Sequence, residues 1–274
     1  MSGRVDGKVA LVTGAARGQG RSHAVRLARE GADVIAIDIC APVSGTGGDI
    51  PPSTPTDLAA TAELVKQQGR RVVTAQVDIR NSDALLREVD NAVEQLGRLD
   101  IVVANAGIGN GGEVPDGPSG RNGANRIDLA VSGVWKTVKA VVPHLLSTGR
   151  GTIVLTNPLD GLSTDPYIAS TPGVIRMMRS FAIELAPHSI RCNSIHPADA
   201  GAPIFADDAV PKSRLNPDDP DSADLEAVAR TTNRMRVGLG GLPDINDVVA
   251  FLASDESAYV TGIPLNVDAS SLLA

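Results

Sequence analysis

The stretch Thr13-Gly-Ala-Ala-Arg-Gly-Gln-Gly20 sets Gly14, Gly18 and Gly20 between a short apolar run and a segment of helical spacing. Glycine tolerates the backbone angles of a tight turn there. With Gln19 between the last two glycines, it also lets a bulky anion approach bare N–H groups at the positive end of the helix dipole. Glycine turns are common, so the triplet alone is a weak signal; an acidic partner makes it specific. Asp38 lies 18 residues past Gly20, followed by Ile39 at the end of the next apolar run. That is close to the separation of about 20 expected for a carboxylate that accepts ribose hydroxyls. The pair implies a bound dinucleotide. Arg17 is placed where it could meet an additional phosphate, but Asp38 would repel that group at close range, so NAD is expected rather than NADP. Arg17 itself reads as a solvated surface arginine.

Two further positions suit the adenosine half. Asp78, after the third apolar run, can accept from an exocyclic amine while Ile79 packs on the ring. Asn105, Ala106 and Gly107, after the fourth, are small where backbone must pass close to a cofactor.

These residues need strands to end beside one another. Short apolar runs at 9–12, 34–37, 72–76, 101–104, 153–156, 191–195 and 265–267 read as buried strands. Between them, helical spacing covers about 18–30, 56–68, 82–96, 124–147, 167–186, 224–236 and 244–253. The alternation predicts an α/β fold: a single Rossmann-type doubly wound domain over 1–274, with a seven-stranded parallel sheet and helices on both faces. Two Pro-, Gly- and Asp-rich segments interrupt the rhythm. One, about 40–55, is expected to cover the cofactor, and the other, about 197–223, to act as a lid over the substrate. Aromatic residues are only 2% of the chain against 42% hydrophobic, so the core must be Val, Ile, Leu and Ala, as buried parallel strands require.

A net charge of -7 argues against nucleic acid and anionic membrane surfaces, which leaves a small molecule as the expected ligand. Cys40 and Cys192 lack metal or redox spacing and read as buried thiols; no metal is expected. With no apolar run of membrane-spanning length and no leader before Lys8, the protein is expected in the cytoplasm.

The Thr13–Gly20 motif, Asn105-Ala-Gly107, Tyr167 and the tail Phe251-Leu-Ala-Ser-Asp-Glu-Ser-Ala-Tyr-Val-Thr-Gly262 resemble the short-chain dehydrogenase/reductase family over nearly the whole chain. The run from Gly14 to His23, the insertion after Asp38, Gly133-Val-Trp-Lys-Thr-Val138 and Glu184-Leu-Ala-Pro-His-Ser-Ile-Arg191 are similar to its actinobacterial branch labelled carveol dehydrogenase, or mycofactocin-coupled. The resemblance implies NAD held tightly under the insertion, a homo-dimer or homo-tetramer through the helices at 124–147 and 167–186, and catalysis by an Asn, a Ser, a Tyr and a Lys. The Tyr falls on Tyr167. The Lys position holds Thr171, the Ser position Pro158 and the Asn position Ala130. After Pro197, where the family's Thr holds the nicotinamide carboxamide, stands Ala202.

Thr171 brings no charge to lower a phenol pKa from about 10. Pro158 has no donor, and loss of one such donor typically costs about a hundredfold to a thousandfold in rate. Three functions fit the pattern. The first is a dehydrogenase of a small lipophilic hydroxy or keto metabolite with an atypical site; the second is a non-redox dehydratase, isomerase or cyclase that keeps NAD as scaffold; the third is a non-catalytic homologue. Asn157, Asp160, Asp165, His196 and Asp199 are polar residues on loops expected to border the pocket, each an ordinary turn or rim residue unless the fold aims it inward.

Overall fold

The computed structural model describes residues 3–43, 52–107, 127–157, 170–197, 235 and 241–270. Within them the apolar runs become β1 Val9–Thr13, β2 Asp33–Asp38, β3 Val72–Gln76, β4 Ile101–Ala104, β5 Gly151–Thr156, β6 Ile190–Pro197 and β7 Pro264–Val267. They pair in parallel in the order β3-β2-β1-β4-β5-β6-β7. The order reverses direction between β1 and β4, where Ala10 lies beside Ile101 and Val12 beside Val103. A crevice opens beyond the carboxyl ends of strands at such a reversal, and ligands bind there. Every residue of β1, β2 and β4 is buried, which explains why these strands read as unbroken apolar runs rather than alternations.

Six helices cover the two faces among the described residues: α1 Gly18–Arg29, α2 Pro55–Gln67, α3 Ser82–Leu96, α4 Val134–Thr148, α5 Thr171–Leu185 and α6 Leu242–Ala253. On α3 the buried residues Leu85, Val89, Ala92 and Leu96 recur at spacings of four and three, forming one apolar stripe. Asn81 caps its start by accepting from the Ala84 N–H, and Gly97 ends it in the left-handed region at φ 91°. Strand alternation then divides the core. Ala10, Val12, Val34, Val103 and Val154 pack with α1, α2 and α6, while Leu11, Ile35, Val102, Ile153 and Leu155 pack with α3, α4 and α5. No described helix is long and apolar enough to cross a membrane.

The predicted helix at 124–147 is interrupted. A π-helical turn, Leu129–Gly133, precedes α4, a distinction that apolar spacing over a single turn does not carry. Gly133 permits a close approach there, since a Cβ on it would lie 2.7 Å from Cδ1 of Ile79. Val134, Val138, Val141 and Leu145 of α4 are buried in the chain's own core, and Val142 packs against it. The large apolar side chains exposed on α4 and α5 are instead Trp135, Leu146 and Ile183. α5 gives way to a 3₁₀ turn, Ala186–His188, where Pro187 has no N–H to continue the helix. The predicted helix at 224–236 and the lid segment lie outside the described residues, apart from Met235 in a turn. Cys40 and Cys192 are free and buried.

Candidate cofactor and active site

β1 delivers Thr13 to the carboxyl edge of the sheet, and the chain turns at Gly14 with φ 70° and at Gly18 with φ 57°. A Cβ on Gly20 would sit 2.0 Å from the Gly14 carbonyl oxygen, and one on Gly14 would sit 2.9 Å from Cα of Ala106. Only glycine lets the turn, the start of α1 and the end of β4 come this close. The β4 side is pinned by Thr13. Its Oγ1 accepts the N–H groups of Asn105 and Ala106, both at 3.0 Å, and its carbonyl accepts from Asn105 Nδ2 at 3.2 Å. Gly107 follows, half-buried.

α1 begins without a side-chain cap and without an acidic residue in its first turn. α2, α3 and α6, by contrast, each have a polar side chain bonded at their first turn: Asp57 with Thr54, Asn81 with the Ala84 N–H, and Asp244 with the Gly241 N–H. The open N–H groups of α1 and its dipole suit an anion. Gln19 is buried there, with no partner for Oε1 among the described residues. A polar atom buried unpaired costs about 1–3 kcal/mol, which a ligand hydrogen bond would offset.

The turn is braced from behind by α2, through contacts that sequence reasoning missed. Thr61, fully buried, donates from Oγ1 to the Ala15 carbonyl at 2.8 Å. Arg21 donates to the Ala16 carbonyl, to the Asp57 carbonyl at 2.9 Å and to Thr61 Oγ1 at 3.0 Å. The available signal was Thr61 itself, a polar residue on the apolar face formed by Leu58, Ala62 and Val65, where a hydroxyl must find a partner. Arg17, just before Gly18, is half-buried. Burial works against the Asp57 charge, but bonds from Thr54 and the charges of Arg21 and Arg17 outweigh it and hold that carboxyl below its ordinary value.

Asp38 closes β2 and is only 7% exposed. Its Oδ2 accepts the Ala16 N–H at 2.9 Å, and its Oδ1 accepts the Cys40 N–H at 3.0 Å and Ser53 Oγ at 2.7 Å. One carboxylate thus ties the glycine-rich turn to the end of β2. Ile39 is half-buried beside it, and the Cys40 thiol is pushed up to about 12 by burial first and by Asp38 second. At the end of β3, burial opposes the charge of Asp78. The Arg80 guanidinium and N–H prevail, with Nη2 2.7 Å from Oδ2, and keep the carboxyl below its ordinary value. Lys136 Nζ donates to the Arg80 carbonyl at 2.8 Å. Ile79 is buried among the core residues of the face that α3 and α4 cover.

On the catalytic side, Ala130 is buried within the π turn and brings no polar side chain of its own. Asn157, just past β5, donates from Nδ2 to Thr171 Oγ1 at 2.9 Å, and both residues are buried. His196 Nε2 lies 2.8 Å from Ser194 Oγ inside β6, and Pro197 ends that strand beside Val267. Tyr167, Pro158, Ala202, Asp160, Asp165 and Asp199 lie outside the described residues.

These residues fit a dinucleotide: a cradle that any Cβ would fill, an uncapped helix start, an unpaired buried amide oxygen and a buried carboxylate at the neighbouring strand end. The comparisons with known proteins agree. Residues 8–209 match the family model described as short chain dehydrogenase. A (-)-trans-carveol dehydrogenase of Rhodococcus erythropolis is 41% identical, over 98% of this chain and 99% of its own length. Among solved structures, carveol dehydrogenase from Mycobacterium avium, in complex with NAD, superposes with a TM-score of 0.87 at 50% identity, covering 99% of this chain and 100% of that one. A short chain dehydrogenase from Mycobacterium paratuberculosis bound to NAD gives 0.82 at 39% identity, covering 99% and 100%. The chain belongs to the short-chain dehydrogenase/reductase family, in its actinobacterial carveol-dehydrogenase-like branch.

Proposed function

We propose that the protein is an NAD-dependent oxidoreductase that interconverts a small lipophilic alcohol and its carbonyl compound through an atypical catalytic site. The observation that carries the reading is the junction of the glycine-rich turn with the Asp38 carboxylate. It offers the uncapped start of α1 to a pyrophosphate and a negative charge to a ribose, a combination that favours NAD over its phosphorylated form. Support for the substrate class comes from the relative named for (-)-trans-carveol.

NAD, when bound, supplies the acceptor for the hydride that leaves the carbinol carbon. This chain's own residues bind the cofactor and handle the proton. Gly14, Arg17, Gly18, Gln19 and Gly20 surround the pyrophosphate, with Asp38 and Ile39 at the adenosine ribose and Asp78 and Ile79 at the adenine. Asn105, Ala106 and Gly107 let the backbone pass close to the adenosine half, and Pro197 borders the nicotinamide half. Tyr167 takes the hydroxyl proton on its phenolate oxygen and returns it in the reverse direction. Thr171 is uncharged and bonded to Asn157, so it lends no charge to the phenolate. Pro158 and Ala130 lend no hydrogen bond. Turnover is therefore slow beside relatives that carry the Ser and Lys, by about a hundredfold or more.

Trp135 and Leu146 of α4 and Ile183 of α5, which is 77% exposed, support assembly into a homo-dimer or homo-tetramer through these helices. A monomeric mass in solution would contradict that assembly. The substrate class is tested by comparing kcat/KM for NAD-dependent oxidation of cyclic terpenoid alcohols with that for short polyols. Preference for the terpenoid alcohols supports the reading, and preference for the polyols overturns it.

A further inference from the structure

We propose that the Ser53 hydroxyl is an internal occupant of the cofactor-ribose site: it holds the place of a ribose hydroxyl on Asp38 and must rotate away before NAD can bind. The inference rests on the reading of Asp38 as the ribose carboxylate. Its ground is the place that the Ser53 hydroxyl takes on that side chain. Oδ1 takes Cys40 N–H at 3.0 Å and Ser53 Oγ at 2.7 Å, Oδ2 takes Ala16 N–H at 2.9 Å, and the Cys40 thiol also bonds to the carboxylate.

A carboxylate oxygen offers two lone pairs, so Cys40 N–H and Ser53 Oγ already fill Oδ1. A vicinal diol that grips both oxygens needs one place on each. Two of the present donors are backbone groups that cannot withdraw without moving the fold. Ala16 belongs to the turn locked by Gly14, Gly20 and the Ala15 N–H to Ile37 carbonyl bond at 3.1 Å, and Cys40 follows β2 directly. Ser53 is different, because its hydroxyl leaves by one χ1 rotation. Its backbone is steadied by the neighbouring Thr54, whose N–H and hydroxyl both donate to Asp57 Oδ2, at 2.8 and 2.7 Å, at the start of α2. Ser53 Oγ therefore stands where a sugar hydroxyl would, with the short O–H···O⁻ distance of a charge-assisted bond. Without cofactor it keeps a buried carboxylate satisfied; with cofactor it is a competitor.

The consequence has a sign that a supporting role would not share. Removing the hydroxyl leaves Asp38 with a site that water fills and a ribose displaces more readily. Cofactor-free wild type, Ser53→Ala and Ser53→Thr proteins, each checked for folding by circular dichroism, are titrated calorimetrically with NAD, AMP and nicotinamide mononucleotide. Ser53→Ala should bind NAD and AMP about threefold to tenfold more tightly than wild type, the reach of one net hydrogen bond. Its affinity for nicotinamide mononucleotide should not change, and Ser53→Thr, which keeps a hydroxyl, should match wild type. Unchanged or weaker NAD binding by Ser53→Ala, in a wild type that binds NAD, overturns this proposal and leaves the cofactor reading intact. Absence of NAD binding by all three proteins overturns both.

Discussion

Asn157 Nδ2 donates to Thr171 Oγ1 across 2.9 Å, joining the end of β5 to the first residue of α5 inside the protein. On the proposed reading, the bond fills with a neutral pair the position where the family carries an ammonium group. On that reading no cation stands by to favour the phenolate of Tyr167 that oxidation needs. Alcohol oxidation should therefore rise with pH throughout the range from 7 toward about 10. In Thr171→Lys the rise should move down by about one to three pH units, because a nearby cation favours the phenolate. Initial rates of NAD reduction across pH check this, and an unmoved profile would remove Tyr167 and Thr171 from the proton path.

Two glycine-to-alanine changes should differ sharply. Gly20→Ala drives a Cβ to 2.0 Å from the Gly14 carbonyl oxygen, so the turn must open. NAD affinity should fall at least about tenfold, with a loss of stability of about 1–3 kcal/mol. Gly173→Ala meets nothing within 4 Å on α5 and should be neutral or stabilising by up to about 1 kcal/mol. Calorimetric titration and urea midpoints on the two variants test the contrast.

Asp38→Asn removes the charge that receives Ala16 N–H, Cys40 N–H and Ser53 Oγ. A hydrogen bond to a charged group is worth about 1.5–3 kcal/mol, so NAD binding should weaken about tenfold to a hundredfold. The preference for NAD over NADP should shrink, since the repulsion of a 2′-phosphate goes with the charge. Dissociation constants for both cofactors on both proteins decide it.

His23 gives a pH dependence of stability. Buried on α1, it has its pKa lowered from 6.5 to about 4, by desolvation chiefly, with the hydrogen bond to Asn246 opposing. Its Nδ1 lies 2.7 Å from Asn246 Oδ1, and Nε2 has no partner among the described residues. The folded state therefore holds the neutral ring. Below pH 6.5 the unfolded chain takes up a proton that the folded one refuses, so stability falls with pH until about pH 4, where the loss levels off at roughly 3 kcal/mol. Urea unfolding at pH 7 and 4.5 should show a steeper loss in wild type than in His23→Gln.

Much of the fold was legible in the chain because its signals are local. The apolar runs at 72–76 and 101–104 coincide with β3 and β4, and the alternation of runs with helical spacing becomes the seven-stranded parallel sheet. The glycine-rich turn and Asp38 were legible as a pair because each closes a neighbouring strand. What escaped was tertiary. Thr61 reaches the turn across 46 residues, Ser53 reaches Asp38 across 15, and Asn157 finds Thr171 across 14. None of these pairs has a periodicity to announce it. The π turn at Leu129–Gly133 was hidden for a different reason, since one wide turn leaves the apolar spacing of α4 unchanged.

The central claim is that a site with Pro158, Thr171 and Ala130 at the family's working positions still transfers hydride to NAD. It is tested by adding a panel of small lipophilic alcohols and ketones to protein shown by mass spectrometry to carry NAD, while following the absorbance of reduced nicotinamide. The band should grow with at least one alcohol and be reversed by the corresponding ketone, slowly in wild type and faster once Ser and Lys are restored together in Pro158→Ser/Thr171→Lys. A band that stays flat across the panel in NAD-loaded wild type would contradict the account and leave NAD as a scaffold.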